Sequence, residues 1–115
     1  MQLLATKGYE GVDDGKSIEG LDLIDGEVKK LEIDAKYVLP HVGWNECKIL
    51  NENKLFQDIK DNSDFYFTHS YYLKNYNVEN VITETMYDLN FVSSINKKNI
   101  YGVQFHPEKS QSNGL

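Results

Sequence analysis

The most strand-like stretch of this chain is residues 65–72, Phe65-Tyr66-Phe67-Thr68-His69-Ser70-Tyr71-Tyr72. Aromatic residues dominate it, and they favour the pleated surface of a β-sheet. Residues 81–87, 91–95 and 100–105 have the same character, and the turn residues 96–99 predict a hairpin between the last two segments. The second half of the chain is therefore predicted to consist mainly of strands.

The first half of the chain is more broken. Residues 1–7 are compatible with a helix that stops at Gly8, too short to survive alone, and they look like the end of an element that begins upstream. Glycines, aspartates and a serine from 8 to 20 predict a surface loop. Three elements are predicted after the loop, namely strands over 28–33 and 44–50 and a short helix over 53–60.

The length limits the chain to at most one domain, and the composition predicts a modest core. The chain has 115 residues, of which 40% are hydrophobic, and a net charge of −6. Lysines occur singly or in pairs such as Lys29-Lys30 and form no stripe, so nucleic acid is not an expected partner. No apolar run approaches the roughly 20 residues that cross a bilayer, so no membrane partner is expected and the protein is predicted to be cytoplasmic.

The single cysteine, Cys47, excludes an internal disulfide and suits a reducing compartment. It falls in the predicted strand 44–50, without the sharp turn or helix N-terminus that would expose and acidify a thiol. Cys47 is therefore predicted to be a core residue and not a nucleophile. The three histidines are scattered along the sequence, so neither a metal site nor another cofactor is expected.

Four further residues have structural as well as functional interpretations. His41 and His69 are predicted to be hydrogen-bonded structural histidines. Trp44 fits a buried core position and an interface position about equally well, with its neighbours Gly43 and Asn45 favouring the interface. Ser70 cannot form a Ser–His couple with the adjacent histidine, because neighbouring residues of a strand point to opposite faces.

A histidine and a carboxylate stand two residues apart in the segment Gln104-Phe105-His106-Pro107-Glu108-Lys109-Ser110. A residue before proline is biased towards extended backbone, and extended residues i and i+2 project from one face, so Glu108 is expected to reach the His106 imidazole. A carboxylate in that position fixes the tautomer of a general base. Taken alone, the triplet is more typical of a solvated turn at the end of a strand.

Three segments taken together resemble class I glutamine amidotransferases, and more narrowly the glutaminase subunits of imidazole glycerol phosphate synthases. They are Leu39-Pro40-His41-Val42-Gly43-Trp44-Asn45, residues 65–72, and Gly102-Val103-Gln104-Phe105-His106-Pro107-Glu108-Lys109-Ser110. The last motif is common to the class, whereas the Pro-His-x-Gly-Trp-Asn element is particular to these subunits and their close paralogues. Residues 20–28 are similar to a further turn of the same subunits.

The resemblance implies an α/β fold, of which this chain is the C-terminal, strand-rich part. The complete domain of the family is flavodoxin-like and doubly wound, so residues 1–115 are expected to be a partial domain, truncated before its first strands and nucleophile elbow. In this family a Gly-x-Cys-Leu-Gly elbow directly precedes Met-Gln-Leu-Leu. The nucleophilic cysteine is therefore expected just upstream of Met1, and the last helix of the family beyond Leu115.

The resemblance also implies roles for particular residues. His106 matches the general base and Glu108 its orienting carboxylate, while Gln2, Ser70 and Tyr71 match residues that hold the glutamine substrate. The residues that match the cyclase interface and the ammonia passage are Pro40, His41, Gly43, Trp44, Asn45 and Lys109.

The function implied by the resemblance is hydrolysis of glutamine to glutamate and ammonia, with the ammonia passed to a (β/α)8 cyclase subunit in histidine biosynthesis. Two alternatives stay open. A paralogue would supply ammonia to a related synthase, for instance one that makes a sugar for surface polysaccharide. An inactive remnant would only bind a partner.

Overall fold

The computed structural model describes residues 1–9, 16–32, 37, 39–57, 59–74 and 76–109. Its strands are β1 (Lys7–Gly8), β2 (Ile18–Glu19), β3 (Glu27–Lys30), β4 (His41–Ile49), β5 (Ser63–His69), β6 (Tyr71–Lys74), β7 (Val81–Tyr87), β8 (Leu89–Lys97) and β9 (Ile100–Val103). Its helical elements are the 3₁₀ turns Gln2–Leu4, Lys54–Phe56, Val78–Asn80 and Pro107–Lys109. The predicted strand-rich character is confirmed. Within these ranges no helix is long and apolar enough to cross a bilayer.

The larger sheet has the strand order β5-β4-β7-β8-β9, and all its neighbouring strands are antiparallel. Residues 41–47 of β4 pair with residues 69–63 of β5, and residues 48–49 pair with β7 on the other side. β4 therefore connects the two halves of this sheet.

The hairpin predicted at residues 96–99 is confirmed. Lys97 of β8 pairs with Ile100 of β9, so Lys98 and Asn99 form a two-residue turn, with Lys98 at a φ of 57°. The preceding hairpin turns through Asp88, which has a φ of 65° between the paired residues Tyr87 and Leu89. Positive φ at the turn matches the right-handed twist of the flanking strands.

The smaller sheet has the order β2-β1-β3-β6, in which β1 and β3 are parallel and the other neighbours antiparallel. The loop predicted over 8–20 was therefore partly wrong, because Gly8 pairs with Ile18. Residues 10–15 of that loop lie outside the described residues. The mixed pairing is consistent with the α/β class expected from the resemblance.

The single strand predicted over residues 65–72 is two strands. β5 ends at His69, the chain bends at Ser70, and β6 begins at Tyr71 in the other sheet. The Leu31 amide donates to the Ser70 carbonyl at 2.9 Å, which attaches the bend to the chain after β3. Strand propensity runs unbroken through this stretch, so the partner strands decide the break.

Other element boundaries also differ from the prediction. The helix predicted over 53–60 is the single turn Lys54–Phe56, which begins where the Leu55 amide donates to Asn53 Oδ1 and ends at Gln57, where ψ is 131° and no longer helical. The strand predicted from residue 44 begins at His41, because residues 41–43 also pair with β5. The strand predicted over 28–33 is β3, and residue 33 lies outside the described residues.

Two core clusters pack against the larger sheet, and β8 contributes residues to both of them. The aromatic core contains Phe56, Phe65, Phe67, Phe91 and Phe105, with Cys47 beside them. The second core contains Ala5, Ile24, Val28, Leu73, Val81, Val92 and Ile95. Phe91 and Val92 are neighbours on β8 and enter different cores, which is the alternation of a strand buried on both faces.

Gly26 and Gly43 form a matched pair for a stability test. Their φ angles are 150° and 149°, a conformation that favours glycine, but a Cβ at Gly26 would lie 2.7 Å from Leu73 Cδ1, whereas nothing lies within 4 Å of one at Gly43. We expect both alanine variants to lose about 1–3 kcal/mol of unfolding free energy from the backbone. Gly26→Ala should lose about 1–3 kcal/mol more from the clash. Urea unfolding measures both losses, and equal losses would contradict this packing.

Candidate functional site

His106 and Glu108 are in direct contact, with 2.9 Å between His106 Nδ1 and Glu108 Oε1. The backbone amide of His106 donates to the Tyr66 carbonyl, which attaches the histidine to β5. Glu108 approaches the ring from the 3₁₀ turn Pro107–Lys109, so the expected contact forms by a tight turn and not along an extended strand. Since a carboxylate accepts, Nδ1 carries the hydrogen in the neutral ring, and the lone pair lies on Nε2.

A cleft of about 350 Å³ lies beside this dyad. Among the residues that line it are Gln2, His69, Ser70, Gln104 and His106. The structure therefore brings together Gln2, Ser70 and His106, which the resemblance matched to the glutamine site but which lie far apart in sequence. His106 is exposed over 37% of its side chain and Glu108 over 64%, so the dyad is accessible from solvent.

Gln2 connects the two sides of the cleft. Its amide nitrogen donates to the Tyr71 carbonyl at 3.1 Å and to Gln104 Oε1 at 3.0 Å. Tyr71 takes part through its backbone carbonyl, while its side chain packs against the second core. Gln104 was not assigned a role from the sequence, although it stands two residues before His106, because only the folded chain shows its contact with Gln2.

A buried pair of histidines, His41 and His69, adjoins the cleft, which His69 lines. His41 Nδ1 is 2.9 Å from His69 Nε2, His41 Nε2 is 2.7 Å from Asn45 Oδ1, and His69 Nδ1 is 2.9 Å from the Tyr71 carbonyl oxygen. Burial lowers the pKa of both rings, that of His69 to about 4, and the nearby His41 and His106 lower the His69 pKa further. Both histidines are hydrogen-bonded, as predicted.

The residues matched to the cyclase interface do not share one face. Side chains alternate along β4, so His41 points inward and is 1% exposed, whereas Trp44 points outward and is 47% exposed. Asn45 is hydrogen-bonded to His41. The Trp44 ring packs edge-on against Tyr66, 5.8 Å between centroids, so the core interpretation of Trp44 was wrong. Pro40 is exposed and Gly43 half-buried. Lys109 ends the turn after His106, and its side chain lies outside the described part of the chain.

Cys47 is buried in the aromatic core, as predicted. Burial raises the pKa of its thiol, and Thr85 Oγ1 donates to the sulfur at 3.5 Å. The cysteine is not one of the residues that line the cleft beside His106. Among the described residues no three His, Cys, Asp or Glu side chains are grouped so as to hold a metal ion.

Comparison with known proteins shows the family of this chain. Residues 1–114 match the family profile described as glutamine amidotransferase class-I. The chain belongs to this family.

Relatives of this class I glutamine amidotransferase chain carry consistent names. Imidazole glycerol phosphate synthase subunit HisH 1 of Campylobacter jejuni is 48% identical over 115 residues, covering 100% of this chain and 55% of the relative. Subunit HisH 2 of Methanococcus maripaludis is 41% identical, covering 100% and 54%. Subunit HisH of Moorella thermoacetica is 46% identical, covering 90% and 48%. The chain spans about half the length of the curated relatives it matches.

The buried thiol predicts that Cys47 does not react in the folded chain. We expect an electrophilic glutamine analogue to leave Cys47 unmodified at neutral pH, because a raised pKa and burial suppress the reactive thiolate. Iodoacetamide in denaturant should label the same cysteine completely, which controls for its chemical competence. Intact mass spectrometry reports both results, and modification of Cys47 in the native chain would contradict this assignment.

Burial of His69 predicts a pH-dependent stability. An unfolded histidine takes up a proton near pH 6.5, whereas folded His69 does so near pH 4. Its contribution is therefore present above pH 6.5 and is lost as the pH falls towards 4, by up to about 1.4 kcal/mol per pH unit and about 3 kcal/mol in total. Urea unfolding at several pH values measures this slope. His69→Asn should flatten it, and an unchanged slope in that variant would assign the effect elsewhere.

Proposed function

We propose that this chain is part of the glutaminase subunit of an imidazole glycerol phosphate synthase, which hydrolyses glutamine and delivers ammonia to a cyclase subunit. The observation that carries the proposal is the 2.9 Å contact of His106 with Glu108 beside a cleft that Gln2 and Ser70 also line. The names of relatives at 41–48% identity support it. The proposal implies a cytoplasmic heterodimer and a complete domain of the doubly wound α/β type.

The reaction assigns a definite step to each member of the dyad. A cysteine thiol gives its proton to His106 Nε2 and attacks the side-chain carbonyl of glutamine, while Glu108 stabilises the imidazolium. His106 then returns the proton to the departing nitrogen, so ammonia and a glutamyl thioester form. Water, deprotonated by the same imidazole, hydrolyses the thioester to glutamate and restores the thiol.

The nucleophile of this proposal is a cysteine outside these 115 residues. Cys47 is the chain's single cysteine, and it is buried away from the cleft with a raised pKa. The backbone N–H groups that stabilise the tetrahedral oxyanion are likewise assigned to the remainder of the enzyme. The described residues contribute the base, its carboxylate and part of the glutamine pocket.

Ammonia transfer requires a partner surface close to the site. The exposed residues Pro40 and Trp44 of the matched element are suited to direct contact with a cyclase, since a large exposed aromatic side chain is typical of an interface. We propose that His41 and Asn45 support that surface from within the protein, because their side chains are hydrogen-bonded to each other. Gly43 and Lys109 complete the proposed interface.

A paralogue that supplies ammonia to a different synthase is the second candidate. It would use the same dyad, so the cleft does not separate the two functions. Two of the relatives have the numbered names HisH 1 and HisH 2, which favours a paralogue as the second candidate. The neighbouring gene discriminates, since a (β/α)8 cyclase gene supports histidine biosynthesis and a sugar-synthase gene supports the paralogue. An inactive remnant would show no glutamine hydrolysis with either partner.

The orienting role of Glu108 is tested in the complete enzyme with its cyclase. We expect Glu108→Gln to lower kcat for glutamine hydrolysis by about 10²–10⁴, because an amide neither fixes the tautomer nor stabilises the imidazolium. Cyclase turnover with added ammonia should stay unchanged, since it bypasses the glutaminase. Exposed Glu19 offers the matched control Glu19→Gln. Glutamine-dependent turnover within twofold of the parent enzyme would refute the role of Glu108.

A further inference from the structure

The buried histidine pair contains one hydrogen bond more than two neutral rings can supply in the orientation shown. Three contacts of 2.7–2.9 Å run in a line from Asn45 Oδ1 through His41 and His69 to the Tyr71 carbonyl. Each contact needs one hydrogen between its two atoms. A neutral imidazole carries a single N–H, so two neutral rings provide two hydrogens for three bonds.

The Tyr71 end of this line has only one solution. A backbone carbonyl oxygen accepts and cannot donate, so His69 carries its hydrogen on Nδ1. In a neutral ring His69 Nε2 is then an acceptor, and His41 must donate to it from Nδ1. This leaves His41 Nε2 as an acceptor that faces Asn45.

The Asn45 end therefore decides the charge of the pair. With Oδ1 towards His41, two acceptors meet at 2.7 Å unless the pair binds an extra proton. With the amide turned by half a rotation, Nδ2 donates to His41 Nε2 and both rings stay neutral. The turned amide loses the contact from Nδ2 to the Met86 carbonyl, which at 3.3 Å is long for a hydrogen bond. Asn45 Oδ1 then faces that carbonyl oxygen, but this separation of two acceptors is wider than the 2.7 Å that the turn relieves at His41.

The surroundings of the rings favour the neutral solution. His41 is 1% exposed and His69 7%. Phe67 and Tyr87 stack on the His41 ring, and Phe91 meets both rings. Aromatic faces attract a cation, but this attraction is smaller than the desolvation penalty of a buried charge. His106 is the other titratable group that acts on His69, and its positive form opposes a second proton nearby.

We propose that His41 and His69 are positioning residues, held as two neutral Nδ1–H imidazoles in a one-way hydrogen-bond chain from the Asn45 amide to the Tyr71 carbonyl. Their assignment to glutamine binding rests on the proposed function. The Tyr71 carbonyl receives donors from both His69 and Gln2, and Gln2 also donates to Gln104. The pair thereby fixes the bend at Ser70, which lines the cleft.

NMR of the imidazole nitrogens tests the hydrogen-bond chain directly. The sequence has only three histidines, so few ring signals have to be assigned. The sample is the full chain labelled with ¹⁵N-histidine, and long-range ¹H–¹⁵N correlations report which ring nitrogens carry hydrogen. At pH 7 we expect His41 and His69 both to be protonated at Nδ1 and unprotonated at Nε2. A hydrogen on both nitrogens of His69, or an Nε2–H tautomer in either ring, would overturn the proposal.

Asn45→Asp sharpens this test, because a carboxylate only accepts. Its oxygen would require a hydrogen on His41 Nε2, the bond between the rings would then draw its hydrogen from His69, and the pair would become an imidazolium at pH 7. Asn90→Asp is the matched control, since exposed Asn90 lies opposite Met86 and has no hydrogen bond to either histidine. If the parent pair already holds the extra proton, Asn45→Asp will leave the ring signals unchanged, which also overturns the proposal.

The positioning role of the histidine pair is tested separately, by measuring glutamine kinetics in the complete enzyme. We expect Asn45→Asp to raise KM for glutamine several-fold with a smaller change in kcat. The substitution alters the hydrogen-bond chain that ends at the Tyr71 carbonyl beside the glutamine cleft, whereas His106 is not part of that chain. Equal KM and kcat in the parent enzyme and in Asn45→Asp would show that the histidine pair does not affect glutamine binding. Absence of glutaminase activity in the parent enzyme would refute the proposed function, while the tautomers measured by NMR would stand.

Discussion

The register between β4 and β5 is the constraint on which the rest of the structure depends. Seven consecutive pairs, from His41 with His69 to Cys47 with Ser63, fix which side chains point inward. A slip of one residue would exchange the faces of a strand, because side chains alternate along it. It would expose His41 and bury Trp44. The present register sends the histidines into the core and leaves the tryptophan at the surface.

The position of the His106–Glu108 dyad also depends on β5. The Tyr66 carbonyl of β5 accepts from the His106 amide, and Phe105 packs against Phe65 in the aromatic core, 4.3 Å between ring centroids. His106 is therefore held by a backbone hydrogen bond and by the burial of its neighbour. Glu108 is the more exposed partner, and the short turn after Pro107 is what returns it to the ring.

The bend at Ser70 joins the two sheets and forms one wall of the cleft. β5 and β6 are adjacent in sequence but pair with different strands, β4 in one sheet and β3 in the other. The Tyr71 carbonyl stands just beyond the bend and accepts from Gln2 and His69. Residues from both ends of the chain thus meet where two strands separate, and this meeting gives the cleft its combination of polar side chains.

The sequence by itself determined the features that depend on near neighbours. The hairpin turn at Lys98 and Asn99, the reach of Glu108 to His106 and the burial of Cys47 all follow from local residue types and spacing, since the groups concerned lie within a few residues of one another or within one strand. The motifs also indicated the family, which the match over residues 1–114 shows.

Only the tertiary structure decided the features that depend on distant partners. Strand propensity alone does not show the break at Ser70, because the residues on either side are equally good strand formers whose pairing partners lie in different sheets. The contact of Gln2 with Gln104 spans 102 residues, and the inward orientation of His41 is fixed by a strand 28 residues away. Local preferences act over a few residues, whereas these contacts exist only after distant segments pack, and for that reason the packing determines them.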